Sequence, residues 1–264
     1  MNSIDPPPTP RGATMISLWG PKGGQGVSTT VAALAPAQLR RHDCSNVAIV
    51  DLAGDQPLLL GVPAQHGVGV LDWLSSDAPA SALHRTMLPV RDSMGVVPLG
   101  GRDATGSWTV EREAGLWRAV RSLADVVLVD AGVPAPRVGG GPVERLRRSA
   151  VEASTTNVVV TRACYLALRR FRGLGLTCDA AVFVQEAQRA LARSDVAETL
   201  GAEVIATVDV DPAVARAVDS GMLGARPPRR LDRAMTALAS GLAGSGGEPV
   251  AAVSTSTSTS NGRS

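Results

Sequence analysis

Residues 15–30 read MISLWGPKGGQGVSTT, and the way this stretch divides decides the fold. A short apolar run, Met15–Trp19, predicts a strand. A glycine-rich loop follows. Ser28–Arg41 then opens on Ser-Thr-Thr and carries Ala and Leu at helical spacing, which predicts a helix. Gly23, Gly24 and Gly26 let the backbone curl so that its N–H groups converge on an anion. The helix N-terminus adds its partial positive charge. Ser28 stands where a hydroxyl would ligate a magnesium ion bridging phosphates. The chain has 28 glycines, so a glycine-rich turn alone says little. The strand before it, the helix after it and the Ser28-Thr29 offset make the pattern specific.

Composition adds a second signal. Of 26 basic residues, 25 are Arg and a single one, Lys22, is Lys. A chain that uses Arg wherever a positive charge suffices keeps its lone lysine inside the glycine loop. A compact ammonium on a thin stem fits there where a planar guanidinium does not.

Working outward, further short apolar runs lie at Val47–Val50, Gly95–Leu99, Val126–Val129, Val158–Thr161, Ala180–Val184 and Val204–Val208. Most are rich in Val and lack alternation, as strands buried on both faces do. Helical patterns separate them at Trp108–Leu123, Val143–Ala153, Ala187–Leu200, Pro212–Ser220 and Leu231–Leu242. Strands alternating with helices predict an α/β fold: a single doubly wound, mostly parallel sheet of seven to eight strands, helices on both faces. The expected domain spans 14–242, between disordered tails at 1–13 (Pro-rich) and 243–264 (Ser/Thr-rich).

With those elements in place, residues 22–29, KGGQGVST, resemble the deviant Walker A motif, KGGxGK[ST]T, of the ParA/MinD ATPases. The resemblance covers about residues 14–242. It implies that ATP and Mg²⁺ bind at Pro21, Lys22, Gly23, Gly24, Gln25, Gly26, Val27, Ser28 and Thr29. It also implies that Lys22 is the signature lysine, reaching the phosphates of a partner subunit across a nucleotide-dependent homodimer. The usual phosphate-loop lysine falls at Val27, which cannot neutralise the β- and γ-phosphates. Relatives of the CpaE/TadZ type also alter that lysine.

Two later carboxylates extend the resemblance. Asp51 ends the second apolar run in DLAGDQ (51–56), similar to the family's switch I, D-x-D-x-x. The family's second carboxylate, which orients the attacking water, is replaced by Ala53. Asp55 substitutes for it only if the loop is rearranged. Asp130 ends DVVLVDAG (125–132), in the form of a Walker B strand and switch II. With Ser28, both acids are the expected metal ligands, and with Lys22 the expected catalytic groups. Read without the family, Asp51 is a strand-end or helix-capping residue and Asp130 a turn residue. Val208–Val214 resembles the late loop near the adenine.

The function expected is a nucleotide switch in partitioning or subcellular positioning, reading out to a regulatory or cargo protein, with weak or absent ATP hydrolysis. The alternative is a non-hydrolysing scaffold that localises a secretion, pilus or division apparatus. The net charge of +2 does not by itself announce nucleic acid. The clusters Arg145/Arg147/Arg148, Arg169/Arg170/Arg172 and Arg226/Arg229/Arg230/Arg233 are either non-specific DNA contacts or solvated helix faces. No run approaches a membrane span and no signal peptide is evident, so a cytoplasmic protein without membrane insertion is expected. Cys44, Cys164 and Cys178 lack metal spacing, and so do His42, His66 and His84.

Overall fold

The computed structural model describes residues 13–63, 68–101 and 107–244. Apart from residues 13, 243 and 244, the two tails lie outside the described residues, as does His66. Eight strands form one sheet in the order β3-β4-β2-β5-β1-β6-β7-β8. They are β1 (Thr14–Trp19), β2 (Val47–Asp51), β3 (Leu88–Arg91), β4 (Met94–Val97), β5 (Val126–Asp130), β6 (Thr156–Arg162), β7 (Ala180–Gln185) and β8 (Glu203–Asp209). All neighbours run parallel except β3 and β4. The α/β class, the doubly wound sheet and its strand number therefore stand as the sequence predicts.

The glycine loop leaves the carboxyl end of β1, between β5 on one side and β6 on the other. In an open parallel sheet, ligands bind in the crevice at that edge. The loops after β2, β5, β6 and β8 all leave from the same edge.

The helix after the loop, α1 (Val27–Leu39), is covered nearly all round. Alanines at 32, 33, 35 and 37 let it lie close to the sheet on one side and to α10 (Arg229–Gly244) on the other. Leu231, Met235, Leu238 and Leu242 of α10 complete that apolar layer. The opposite layer is built on α5 (Val110–Arg121), α6 (Pro142–Ala153), α7 (Tyr165–Leu174) and α8 (Arg193–Leu200). There Trp19 stacks on Phe171 with ring centroids 5.8 Å apart.

The structure corrects the sequence reading at several elements. Three short helices, α2 (Gln56–Leu59), α3 (Val70–Leu74) and α4 (Ala80–Arg85), were not predicted, because none is long enough to show a helical period. The edge strand β3 was missed because Pro89 interrupts it and one face is exposed. Helix α8 begins at Arg193 rather than Ala187. Glu186 is drawn to Arg162 and Arg189 instead, and the Asp195 carboxylate accepts the Ala192 N–H at 2.7 Å to start the helix. The last helix of the chain's described part, α10, runs two residues beyond Leu242.

Candidate functional site: a phosphate loop between an acidic corner and an apolar cavity

Gly20 N–H donates to the Gly132 carbonyl at 2.9 Å, which pins the loop's start to the segment after β5. Gly26, with φ of 93°, sits in the left-handed region that favours glycine, and ends the loop. Its carbonyl then accepts from Thr30 N at 2.9 Å and from Thr30 Oγ1 at 2.8 Å, opening α1. Gln25 is buried and aimed at the other neighbour, β6. Its Oε1 accepts from Arg162 N at 3.0 Å and Thr161 Oγ1 at 3.2 Å. The Gln25 side chain is therefore an anchor of the loop, and only its backbone faces the crevice role predicted for it. Pro21 is buried, Ser28 and Thr29 are half-buried, and Gly23 and Gly24 are exposed. Lys22 donates to the Gly23 carbonyl at 3.2 Å, folded back on its own loop.

Val27 points into protein. It belongs to the apolar layer between α1 and the sheet. A Cβ built on Gly20 would lie 3.1 Å from Val27 Cγ2 and 3.2 Å from the Val160 carbonyl. A side chain at Gly20 would therefore have to push Val27, Gln25 or the Val160 carbonyl back by a few tenths of an ångström.

On the β2/β5 side lies an acidic corner. Asp51 and Asp130 sit opposite each other in the parallel pairing of β2 with β5, and both are 0 % exposed. Asp51 accepts three backbone N–H groups, from Ala53 (3.0 Å), Gly54 (2.7 Å) and Gln56 (3.0 Å). Asp130 accepts from Gly132 N at 3.2 Å and from Gln56 Nε2 at 2.8 Å, with the Ser28 hydroxyl also bonded to it. Burial, and then the Asp130 charge, push the Asp51 carboxyl up to about 6. Burial also raises Asp130, against the pull of Gln56 and Ser28, and the Asp55 charge adds to the rise. Asp55 itself is exposed at the head of α2.

On the β7/β8 side lies a cavity of about 270 Å³. Gly26, Thr29 and Thr30 form its phosphate-loop wall. Val184, Val208, Val210, Val214, Ala215, Val218 and Leu231 supply the apolar lining, with Arg162, Asp209, Asp211 and Asp219 at the polar edge. Asp211 is bonded to Ala213 N at 2.8 Å as the N-cap of α9 (Pro212–Asp219).

Of the arginines of α6, Arg145 is exposed and Arg147 and Arg148 are half-buried, and each donates to a backbone carbonyl. Arg147 Nε donates to the Leu52 carbonyl at 2.9 Å, beside Ala53 and Gly132. Arg148 donates to the carbonyls of Ala135 (3.1 Å) and Leu174 (2.9 Å), and Arg145 to that of Gly140 at 2.6 Å. All three tether the segments that leave β2, β5 and α7. Arg169, Arg170 and Arg172, with Arg226, Arg229, Arg230 and Arg233, remain exposed.

Solved structures of similar shape include the MinD cell division protein of Aquifex aeolicus, with a TM-score of 0.70 and 18% identity over 88% of this chain and 97% of that one. A ParA family ATPase from Chlorobium tepidum matches with a TM-score of 0.68 and 18% identity, over 86% of this chain and 98% of the other. The fold is that of the MinD and ParA ATPases. The septum site-determining protein MinD of Pyrococcus horikoshii, solved with Mg-ADP, matches with a TM-score of 0.66 and 18% identity over 87% and 96% of the two chains. No family model matches the sequence. No match was found among curated proteins.

No cluster of three or more His, Cys, Asp or Glu suited to a metal ion occurs among the described residues. That does not disqualify magnesium, which is commonly held beside nucleotides by one or two carboxylates and the phosphates themselves. A hydroxyl, Ser28, and two adjoining carboxylates, Asp51 and Asp130, are the right hard oxygen donors. Gln56 Oε1 is buried without a partner in the same corner, a sign that a polar group fits there. The donor set fits a hydrated magnesium ion. Sequence reasoning missed Gln56 and Arg162, and read Arg147 as a DNA contact or a solvated face; all three roles arise only from what the sheet order brings near them.

Proposed function

We propose that the chain is a ParA/MinD-like nucleotide switch that binds ATP, dimerises around it and hands the bound state to a partner protein in positioning or partitioning. The observation that carries this reading is the glycine loop. It is held between β5 and β6 with its amides free of strand partners, an acidic corner on one side and a base-sized apolar cavity on the other. Pro21, Lys22, Gly23, Gly24, Gln25, Gly26, Val27, Ser28 and Thr29 would line the phosphates through their backbone. Thr29, Val184, Val208 and Val214 would hold the base. Ser28, Asp51 and Asp130 would hold Mg²⁺, which supplies charge neutralisation of the phosphates when bound. Lys22, half-buried and bonded only locally, would swing across a homodimer.

Hydrolysis should be slow. Removing one preorganised charge or donor from a developing anion lowers turnover about 100- to 1000-fold, and this chain lacks two groups, at Val27 and Ala53. These same losses favour the second reading, a non-hydrolysing scaffold of the CpaE/TadZ kind. A cytoplasmic setting belongs to either reading; no helix among the described residues is long and apolar enough to cross a membrane. Non-specific DNA, if it is a partner, would meet the exposed arginines of α7 and α10, not those of α6.

The test is dimerisation of the purified chain with and without ATP and Mg²⁺, repeated with Lys22→Ala. ATP-dependent dimers lost in Lys22→Ala support the switch; the same mass in all three conditions removes it. ATP turnover abolished by Asp130→Ala removes the scaffold instead.

A further inference from the structure

Gln56 is 0 % exposed and joins three elements at once. Its backbone N–H donates to Asp51 Oδ2 at 3.0 Å, at the end of β2. Its Nε2 donates to Asp130 Oδ2 at 2.8 Å, at the end of β5, and to the Ser28 carbonyl at 2.9 Å, in the first turn of α1. Chemistry decides which way the amide faces. The Ser28 carbonyl only accepts, so the nitrogen must face it whatever the protonation of Asp130. Both Nε2 protons are then used, and Oε1 is left buried with no partner. An unmatched buried carbonyl destabilises by about 1–3 kcal/mol, so this arrangement is held by the two bonds that Nε2 makes.

The Gln56 Nε2–H donated to Asp130 Oδ2 takes up the acceptor that a water on a divalent ion held by Ser28 would need. An amide nitrogen carrying two partial positive charges also suits a corner that holds two carboxylates and, because of Val27, no lysine. We propose that Gln56 is a positioning residue that latches the site. In the nucleotide-free chain its amide stands in for a metal-bound water, closing Asp130 to magnesium. The cation gains its acceptor only when Gln56 leaves. Helix α2, which carries Gln56 at its start, is built to allow this. It is four residues long and lies between Gly54 and Gly61, with φ of 95° and 67°. The proposal rests on reading the corner as a magnesium–nucleotide site, and it adds a regulation of that site. Its consequence is that magnesium adds little to nucleotide affinity in the native chain.

The experiment titrates the full chain with a fluorescent ATP analogue, in magnesium and in EDTA. It is repeated for Gln56→Met, which keeps the length of the side chain and drops the amide. Gln56→Asn, too short to span Ser28 and Asp130, serves if the Met variant does not fold by circular dichroism. Affinities of the native chain should agree within about twofold in the two conditions, and the variant should bind about tenfold tighter with magnesium, or about 1.4 kcal/mol. An equal magnesium effect in native and variant chains overturns the latch. If no form binds the nucleotide, the switch reading fails, and the latch is judged on Mn²⁺ alone by electron paramagnetic resonance. Tighter Mn²⁺ binding by the variant supports the latch, and equal binding overturns it.

Discussion

The two sides of the phosphate loop have been treated differently. Toward β7 and β8 the loop opens on a cavity of about 270 Å³ walled by valines and leucine, ready to take a flat apolar group. Toward β2 and β5 it meets a corner where both acids are 0 % exposed and each carboxylate already has internal hydrogen-bond donors. The difference has a physical cause. An apolar cavity remains serviceable when its lining changes size slightly, whereas a charge-handling site depends on each group. With the apolar Val27 at the end of the loop, the two buried carboxylates are stabilised by amide protons. Under the proposed nucleotide switch, the open side would grip the nucleotide and the closed side would limit its turnover.

The largest effect should come from blocking the open side. Val214→Trp, placed in the cavity wall at the start of α9, should lower ATP affinity at least about 100-fold, near 2.7 kcal/mol. The melting temperature should move little, since Val214 is only half-buried. Equilibrium titration checks it; unchanged affinity would mean that the cavity is not where the base sits, and the comparison breaks.

Restoring charge to the closed side comes next. Val27→Lys should raise ATP turnover by about 100-fold if the missing ammonium limits it. Without nucleotide the variant should melt lower, because a lysine replaces a buried valine in a close-packed layer. ATP should restore the difference. Scanning calorimetry with and without ATP, beside a phosphate-release assay, reads both.

The smallest effect concerns pH and the acidic corner itself. The folded-state pKa of Asp51 is about 6, above its ordinary 3.8, through burial and then the Asp130 charge. Between those values the folded chain binds more protons at this group than the unfolded chain does. Stability contributed by Asp51 is therefore present at low pH and lost as pH rises through 6. Asp130, raised in the same direction by burial, adds to the slope. Urea midpoints of the native chain should rise from pH 7 to pH 5.5, and Asp51→Asn should flatten that rise by on the order of 1 kcal/mol. A slope unaltered by Asp51→Asn would show that the corner is not as dry as its burial implies. Half-buried acids held low by arginines, such as Glu186 beside Arg189 and Arg162, work in the opposite direction and are common to the native chain and the variant.

What the sequence determined by itself was whatever depends on neighbours in the chain. The loop from Gly20 to Thr30, the strand before it and the helix after it were legible because glycine, apolar runs and a Ser-Thr start act locally. Val-rich runs without alternation announced a sheet covered on both faces, and Asp51 and Asp130 stood out because each ends such a run. Tertiary structure alone decided the rest. The order of strands puts β2 next to β5, so two acids 79 residues apart become neighbours, and the Asp130 charge helps raise the proton affinity of Asp51. The same order brings Gln56 against Ser28 and Asp130, and turns Arg147 and Arg148 inward onto carbonyls that no spacing reveals. It also buries Val27 in the apolar layer beneath the loop, a packing role that the chain alone does not reveal.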